Sequence, residues 1–203
     1  MQAPSPSLIA DNLACRRGER LLFRRLSFRL EAGAACHVTG ANGAGKTTLI
    51  RALAGLTTPF AGEVRREGAL ALLDERTGLD PDLPLGKALA FWSGIDRVGD
   101  GQAIMDRLRL AALAEVPVRY LSTGQRKRAA LARVLGQAAP LWLLDEPLSG
   151  LDTASQGLVS ALVREHCASG GIALIASHQP LDVPGMTSVA IEDFAPAPEE
   201  EEA

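Results

Sequence analysis

The eight residues from Gly40 to Thr47, Gly-Ala-Asn-Gly-Ala-Gly-Lys-Thr, constrain the fold of this chain more than any other feature. They satisfy the phosphate-loop pattern G-x-x-x-x-G-K-[ST] in full, with an additional glycine at position 43. Glycine is needed there because backbone N–H groups can converge on phosphate oxygens only where no Cβ intervenes, and the N-terminus of the following helix adds partial positive charge. A loop of this kind joins a strand to a helix. Ala34 to Thr39 reads as that strand, and a helix is expected from Thr47 to near Gly55. Gly40, Asn42, Gly43, Ala44, Gly45, Lys46, Thr47 and Thr48 are therefore candidate phosphate-binding residues. Lys46 is expected to bridge the β- and γ-phosphates of a nucleoside triphosphate, and the Thr47 hydroxyl to ligate Mg²⁺.

The rest of the chain reads as an α/β core around this loop. Leu21 to Leu30 is expected to be a strand, and Leu141 to Leu144 and Ile172 to Ala176 are short apolar runs without alternation, as in strands buried on both faces of a parallel sheet. Thr153 to Cys167 has helical length and spacing between those two. From about Pro81 to Ala138 the pattern is helical, at Gly86 to Trp92, Gln102 to Ala112 and Gly124 to Gln137, and reads as a helical subdomain inserted in the core. Residues 1–7 and 195–203, rich in Pro and Ser or in Ala, Pro and Glu, read as tails, leaving one domain over 8–194.

Leu141-Trp-Leu-Leu-Asp145-Glu146 is an apolar strand ending in two carboxylates. Beside the phosphate loop in a parallel sheet, Asp145 is placed to hold the Mg²⁺ shell and Glu146 to act as general base toward an attacking water. Removing the four negative charges of Glu199 to Glu202 from the net charge of -3 leaves a body near +1, which is no footprint for nucleic acid. Three cysteines, Cys15, Cys36 and Cys167, show no metal-ligand spacing, and an odd number cannot all pair within the chain; a reducing cytoplasm is the expected compartment. No apolar run approaches the roughly 20 residues that span a bilayer.

Leu121-Ser122-Thr123-Gly124-Gln125 closely resembles the LSGGQ signature of ABC ATPases, with Thr123 in place of the usual first glycine. Taken alone it also reads as an ordinary helix N-cap. The order of phosphate loop, signature and Asp145-Glu146 makes the resemblance cover about Leu8 to Glu192. It implies a P-loop NTPase fold with a mostly parallel core sheet, an N-terminal antiparallel β part and the inserted helical subdomain. It implies ATP and Mg²⁺, and a head-to-tail dimer in which Ser122, Gly124 and Gln125 of one copy close over the γ-phosphate held by the other. By the same resemblance Asp152, in Ser149-Gly150-Leu151-Asp152, couples the two sites, and His178 contacts the γ-phosphate alongside Lys46 and Glu146. The adenine-stacking aromatic of the family is missing; the segment reads Cys15-Arg16-Arg17-Gly18, so Arg17 or Arg16 is expected to stack on the base. The Q-loop glutamine is also missing after the strand Ala69 to Leu73, where the chain gives Asp74-Glu75-Arg76-Thr77. Arg76 stands in its approximate place and, as a cation, cannot ligate a metal.

Within the family, the runs Ser177 to Leu181, Leu121 to Arg128 and Asp145 to Leu148 resemble the ATP-binding subunits of haem exporters that serve cytochrome c maturation. The stretch Leu72 to Trp92 aligns with theirs without gaps. The resemblance implies integral membrane subunits on other chains and a peripheral place on the cytoplasmic face of a bacterial inner membrane. The ATPase of another small exporter or of a lipoprotein-release system is the alternative inside the family. Translation-control and DNA-repair ABC ATPases fit less well, since tandem nucleotide domains and long coiled coils are both lacking.

Overall fold

Buried apolar side chains fall on both sides of a five-stranded parallel sheet, and the phosphate loop follows the C-terminal end of one of its inner strands. In the computed structural model, which describes residues 5–96 and 101–196, the sheet has the spatial order β5 (Leu70–Leu73), β6 (Leu141–Asp145), β7 (Ile172–Ala176), β3 (Ala35–Thr39), β8 (Thr187–Ala190). All neighbours pair in parallel. Alternate residues of one strand serve two cores: Leu141 and Leu143 point into one, Trp142 and Leu144 into the other. A strand lined with apolar residues on both faces needs cover on both faces. Helices α2 (Leu85–Asp96), α4 (Thr123–Gly136) and α5 (Thr153–Ala168) contribute to one cover. Helix α1 (Lys46–Ala54) and a second sheet supply the other.

That second sheet is antiparallel, in the order β2 (Arg20–Glu31), β1 (Ser7–Arg17), β4 (Ala61–Glu67). Strand β1 includes Ser7, which pairs with Glu31 and Glu67, so the N-terminal tail expected over 1–7 is shorter than the composition suggested. The acidic run 197–203 lies outside the described residues, as do 1–4. Among the described residues between 81 and 138 come α2, α3 (Gly101–Arg107), two short 3₁₀ turns and α4, and the β-pairing among them is a single bridge of Pro84 with Pro117.

Two histidines without an expected role are structural. His37 on β3 is buried with Nε2 3.0 Å from the Ser177 carbonyl oxygen. His166 on α5 stacks on Trp142 at 3.8 Å between ring centres, and burial lowers its pKa against the raising effect of the carbonyls of Ile172 and Pro140.

Candidate nucleotide site

Strand β3 ends at Thr39, and the chain then turns through the phosphate loop into α1, whose N-cap is Gly45 at φ 111° with no side chain capping the helix N-terminus. An L-residue is strained at that angle, and glycine carries no side chain to cap the first helical N–H groups, which a ligand can therefore meet. The Lys46 ammonium is buried and folds back to donate to the carbonyl oxygens of Gly40 at 2.6 Å and Ala41 at 3.0 Å. Asn42, Gly43, Gly45, Lys46, Thr47 and Thr48 line one wall of an open pocket. Gly40 and Ala44 lie outside that wall. Ala44 faces an adjoining hollow with Ile191 and Pro196, and a Cβ on Gly40 would stand 2.6 Å from Ile191 Cγ2. Next to this contact Glu192 Oε1 accepts the Ala41 N–H at 2.5 Å. The phosphate loop thus rests on the segment that follows β8, a support with no signal in the motif itself.

The acidic wall comes from the ends of β6 and β5. Asp145 is buried; burial raises its pKa, and a hydrogen bond from the Thr47 hydroxyl lowers it. Its Oδ1 has no hydrogen-bond partner. An unsatisfied buried carboxylate oxygen beside a threonine hydroxyl at the phosphate loop fits a hard divalent cation, whose preferred donors are oxygens. Among the described residues no three His, Cys, Asp or Glu side chains gather as a metal cluster, so phosphate and water oxygens would complete such a shell. Glu146 follows in the left-handed region at φ 47°, unusual for a non-glycine residue and a conformation that clusters at functional sites. Its N–H donates to the Ala176 carbonyl at 2.8 Å, which pins it to the end of β7. Glu146 lines the pocket, and its Oε2 lies 2.8 Å from His178 Nδ1. His178 is therefore directed at Glu146, while its Nε2 is 3.4 Å from the Gln179 amide nitrogen.

At the end of β5 the missing glutamine leaves a different side chain facing the nucleotide pocket. Arg76, the residue expected by position, is absent from the pocket wall, and its N–H is engaged by Asp74 Oδ1 at 2.9 Å. Glu75 is the residue of this loop that lines the pocket. From α4, half-buried Lys127 faces the same carboxylates: burial lowers its pKa, and Asp145, Glu146, Glu75 and Asp74 raise it. Sequence reading missed both Glu75 and Lys127. On the opposite side Arg17, at the end of β1, lines the pocket with Leu22, whereas the Arg16 guanidinium sits 4.9 Å from the ring centre of Phe60. Of the two arginines, Arg17 is the one that lines the pocket.

Ser122, Gly124, Gln125 and Asp152 lie elsewhere, around a second polar hollow with Arg128 and Gly150. Ser122 is a helix N-cap, as its local pattern allowed: Ser122 Oγ accepts the Gln125 N–H at 3.2 Å and Gln125 Oε1 accepts the Ser122 N–H at 2.8 Å, a capping box. Asp152 caps α5, its Oδ1 accepting the Ser155 N–H at 2.7 Å, and that hydrogen bond lowers its pKa. Thr123 stands over Gly150, where an added Cβ would be 2.9 Å from Thr123 Cγ2, and a Cβ on Gly124 would be 2.9 Å from the Gly150 oxygen. The methyl that Thr123 adds relative to glycine is accommodated because position 150 has no side chain.

A strand, phosphate loop and helix, an acidic strand end beside them and a separate signature-bearing helix start define a nucleotide-binding ATPase domain. The ABC transporter family model matches residues 23–149, and the chain belongs to that family as an ABC-type ATPase. Its similarity to individual proteins is narrower: it is 56% identical over 189 residues to the cytochrome c biogenesis ATP-binding export protein CcmA of Novosphingobium aromaticivorans, covering 93% of this chain and 97% of the relative. The protein of the same name from Sphingopyxis alaskensis is 49% identical, over 91% of this chain and 96% of its own length. The fold is also that of MJ0796, a bacterial ABC transporter cassette solved as a dimer, with a TM-score of 0.76 at 19% identity, covering 85% of this chain and 88% of that one.

Proposed function

We propose that this chain is the ATP-hydrolysing subunit of the haem exporter of cytochrome c maturation, and that it works on membrane subunits carried by other chains. The observation that carries the reading is the single pocket in which Lys46 and Thr47 of the phosphate loop face Glu146, in a chain alignable over nearly the whole length of CcmA relatives. Lys46 leaves the carbonyls of Gly40 and Ala41 for the phosphates. Thr47 and Asp145 would hold Mg²⁺, which when bound neutralises phosphate charge. Glu146, fixed by its backbone bond to Ala176, polarises water, and His178 orients its carboxylate through the 2.8 Å contact.

The signature residues Ser122, Gly124 and Gln125 are absent from this pocket. A second copy arranged head to tail would bring them to the γ-phosphate, with Asp152 at the seam, so ATP joins the two copies. Among the described residues no helix is long and apolar enough to cross a membrane; in this reading the chain is a peripheral subunit on the cytoplasmic face of the inner membrane, held there by its membrane partners. Arg17 lies on the side of the pocket where it would meet the base. The test is a strain whose chromosomal copy carries Lys46→Ala. Haem-stained c-type cytochromes are expected to disappear while b-type cytochromes persist. Normal c-type cytochromes in an organism without a second copy of the system would refute the haem assignment.

A further inference from the structure

We propose that Glu75 is a metal-directed carboxylate of the nucleotide site, so that the pocket admits nucleotide as its divalent-metal complex and rejects the metal-free polyanion. The proposal rests on reading the pocket as a nucleotide site and goes beyond it. Glu75 is exposed at the end of β5 and shares the pocket wall with Lys46, Thr47 and Glu146. Nothing in the hydrogen bonding of its loop holds it elsewhere: the Asp74 carboxylate takes the Arg76 N–H, and the Thr77 hydroxyl takes that of Leu79.

The second observation is the buried Asp145 Oδ1 without a partner. Asp145 is tied to Thr47 through a hydrogen bond, so an unmet demand for a cation lies where Glu75 adds a further negative charge. The local cations do not meet it. Lys46 is spent on the carbonyls of Gly40 and Ala41 and belongs to the phosphates once they arrive. Lys127 is shared by Asp145, Glu146, Glu75 and Asp74. Because Glu75 does not close a three-residue metal cluster with Asp145 and Glu146, it acts through the cation's water shell and through its charge.

A carboxylate so placed repels a bare triphosphate and attracts the cation that accompanies it. At an effective dielectric of about 20, one unit charge across a pocket of this size changes binding on the order of tenfold. The experiment measures ATP dissociation constants by calorimetry for the full-length wild type, Glu75→Gln and Asp74→Asn, each with excess Mg²⁺ and with EDTA. In parallel, Mn²⁺ affinity at fixed ATP is read by electron paramagnetic resonance. Glu75→Gln is expected to reduce the ratio of metal-free to metal-loaded dissociation constants by about tenfold and to weaken Mn²⁺ retention. Asp74→Asn, whose carboxylate accepts the Arg76 N–H and is the weakest of the four acting on Lys127, is expected to shift both far less than Glu75→Gln. An unaltered ratio in a Glu75→Gln protein that still binds ATP overturns the role of Glu75 alone. An equal shift in Asp74→Asn overturns it too, by reducing the effect to net charge. Failure of the wild type to bind ATP with excess Mg²⁺ as well as with EDTA overturns the nucleotide-site reading and this proposal with it.

Discussion

Glu146→Gln separates binding from chemistry. The substitution keeps the shape of a side chain that is 27% exposed and leaves in place the backbone bond to Ala176 at 2.8 Å. Gln Oε1 still accepts from His178 Nδ1, so the contact survives as a neutral hydrogen bond. The strained φ of 47° costs a Gln about what it costs a Glu. Stability is therefore expected to change by no more than about 1 kcal/mol, and affinity for Mg-ATP by less than about threefold, near 0.6 kcal/mol. What is lost is the proton acceptor. General-base catalysis contributes roughly 10²- to 10⁴-fold, so turnover should fall by that factor, equivalent to about 3–5 kcal/mol of barrier. Phosphate release under saturating Mg-ATP measures this, and size-exclusion chromatography with ATP should reveal a dimer accumulating in the variant. Turnover within about threefold of wild type would remove Glu146 as the base, and a monomer under all conditions would count against the shared site.

Asp145→Asn carries a pH-dependent expectation. Because burial raises the Asp145 pKa above its usual 3.8, the folded state holds the carboxyl proton more tightly than the unfolded chain does. The stability this group contributes is full below the unfolded value and is lost as pH rises through the folded one. Asparagine imitates the protonated form, so the nucleotide-free variant should melt a few degrees above wild type at neutral pH, with the gap closing as pH falls toward the unfolded value; a gap that ignores pH would refute this. Arg17→Ala should weaken nucleotide binding by about three- to tenfold, whereas Arg16→Ala, whose guanidinium rests on Phe60, should leave affinity unchanged. Equal losses in the two variants would contradict the placement of Arg17 in the pocket.

What could be read from the sequence is what short-range pattern encodes. The strand, loop and helix around Gly40 to Thr47, the buried strands ending at Asp145 and Ala176, and the helix opening at Ser122 each announce themselves within a dozen residues. Strand β4 does not. Ala61–Glu67 is exposed almost throughout and has no apolar alternation; beyond its backbone pairing with β1 it contributes Val64 to the core and an exposed ion pair from Arg65 to Asp11, neither of which marks a strand in sequence. The four-residue β8 is likewise too short and too polar to declare itself. The part played by Glu75 in the Asp74-to-Thr77 loop was hidden for a different reason. Counting along the motif favours Arg76, but at a strand end a shift of one residue reverses the face a side chain points to, and Glu75 has the pocket side. The links from His178 to Glu146 and from Glu192 to Ala41 join residues 32 and 151 positions apart, and only folding brings them together.

The interlock of Thr123, Gly124 and Gly150 has a mechanical consequence. Side chain against missing side chain, and backbone against missing Cβ, leave no slack between the start of α4 and the turn before α5. In a pair of these chains meeting head to tail, each would present the two segments to its neighbour as one stiff tooth, so a push on α4 would be felt at Asp152 without an intervening hinge. A branched or bulky residue at position 150 would wedge the tooth apart, uncoupling the two segments while leaving each chain's own phosphate loop intact.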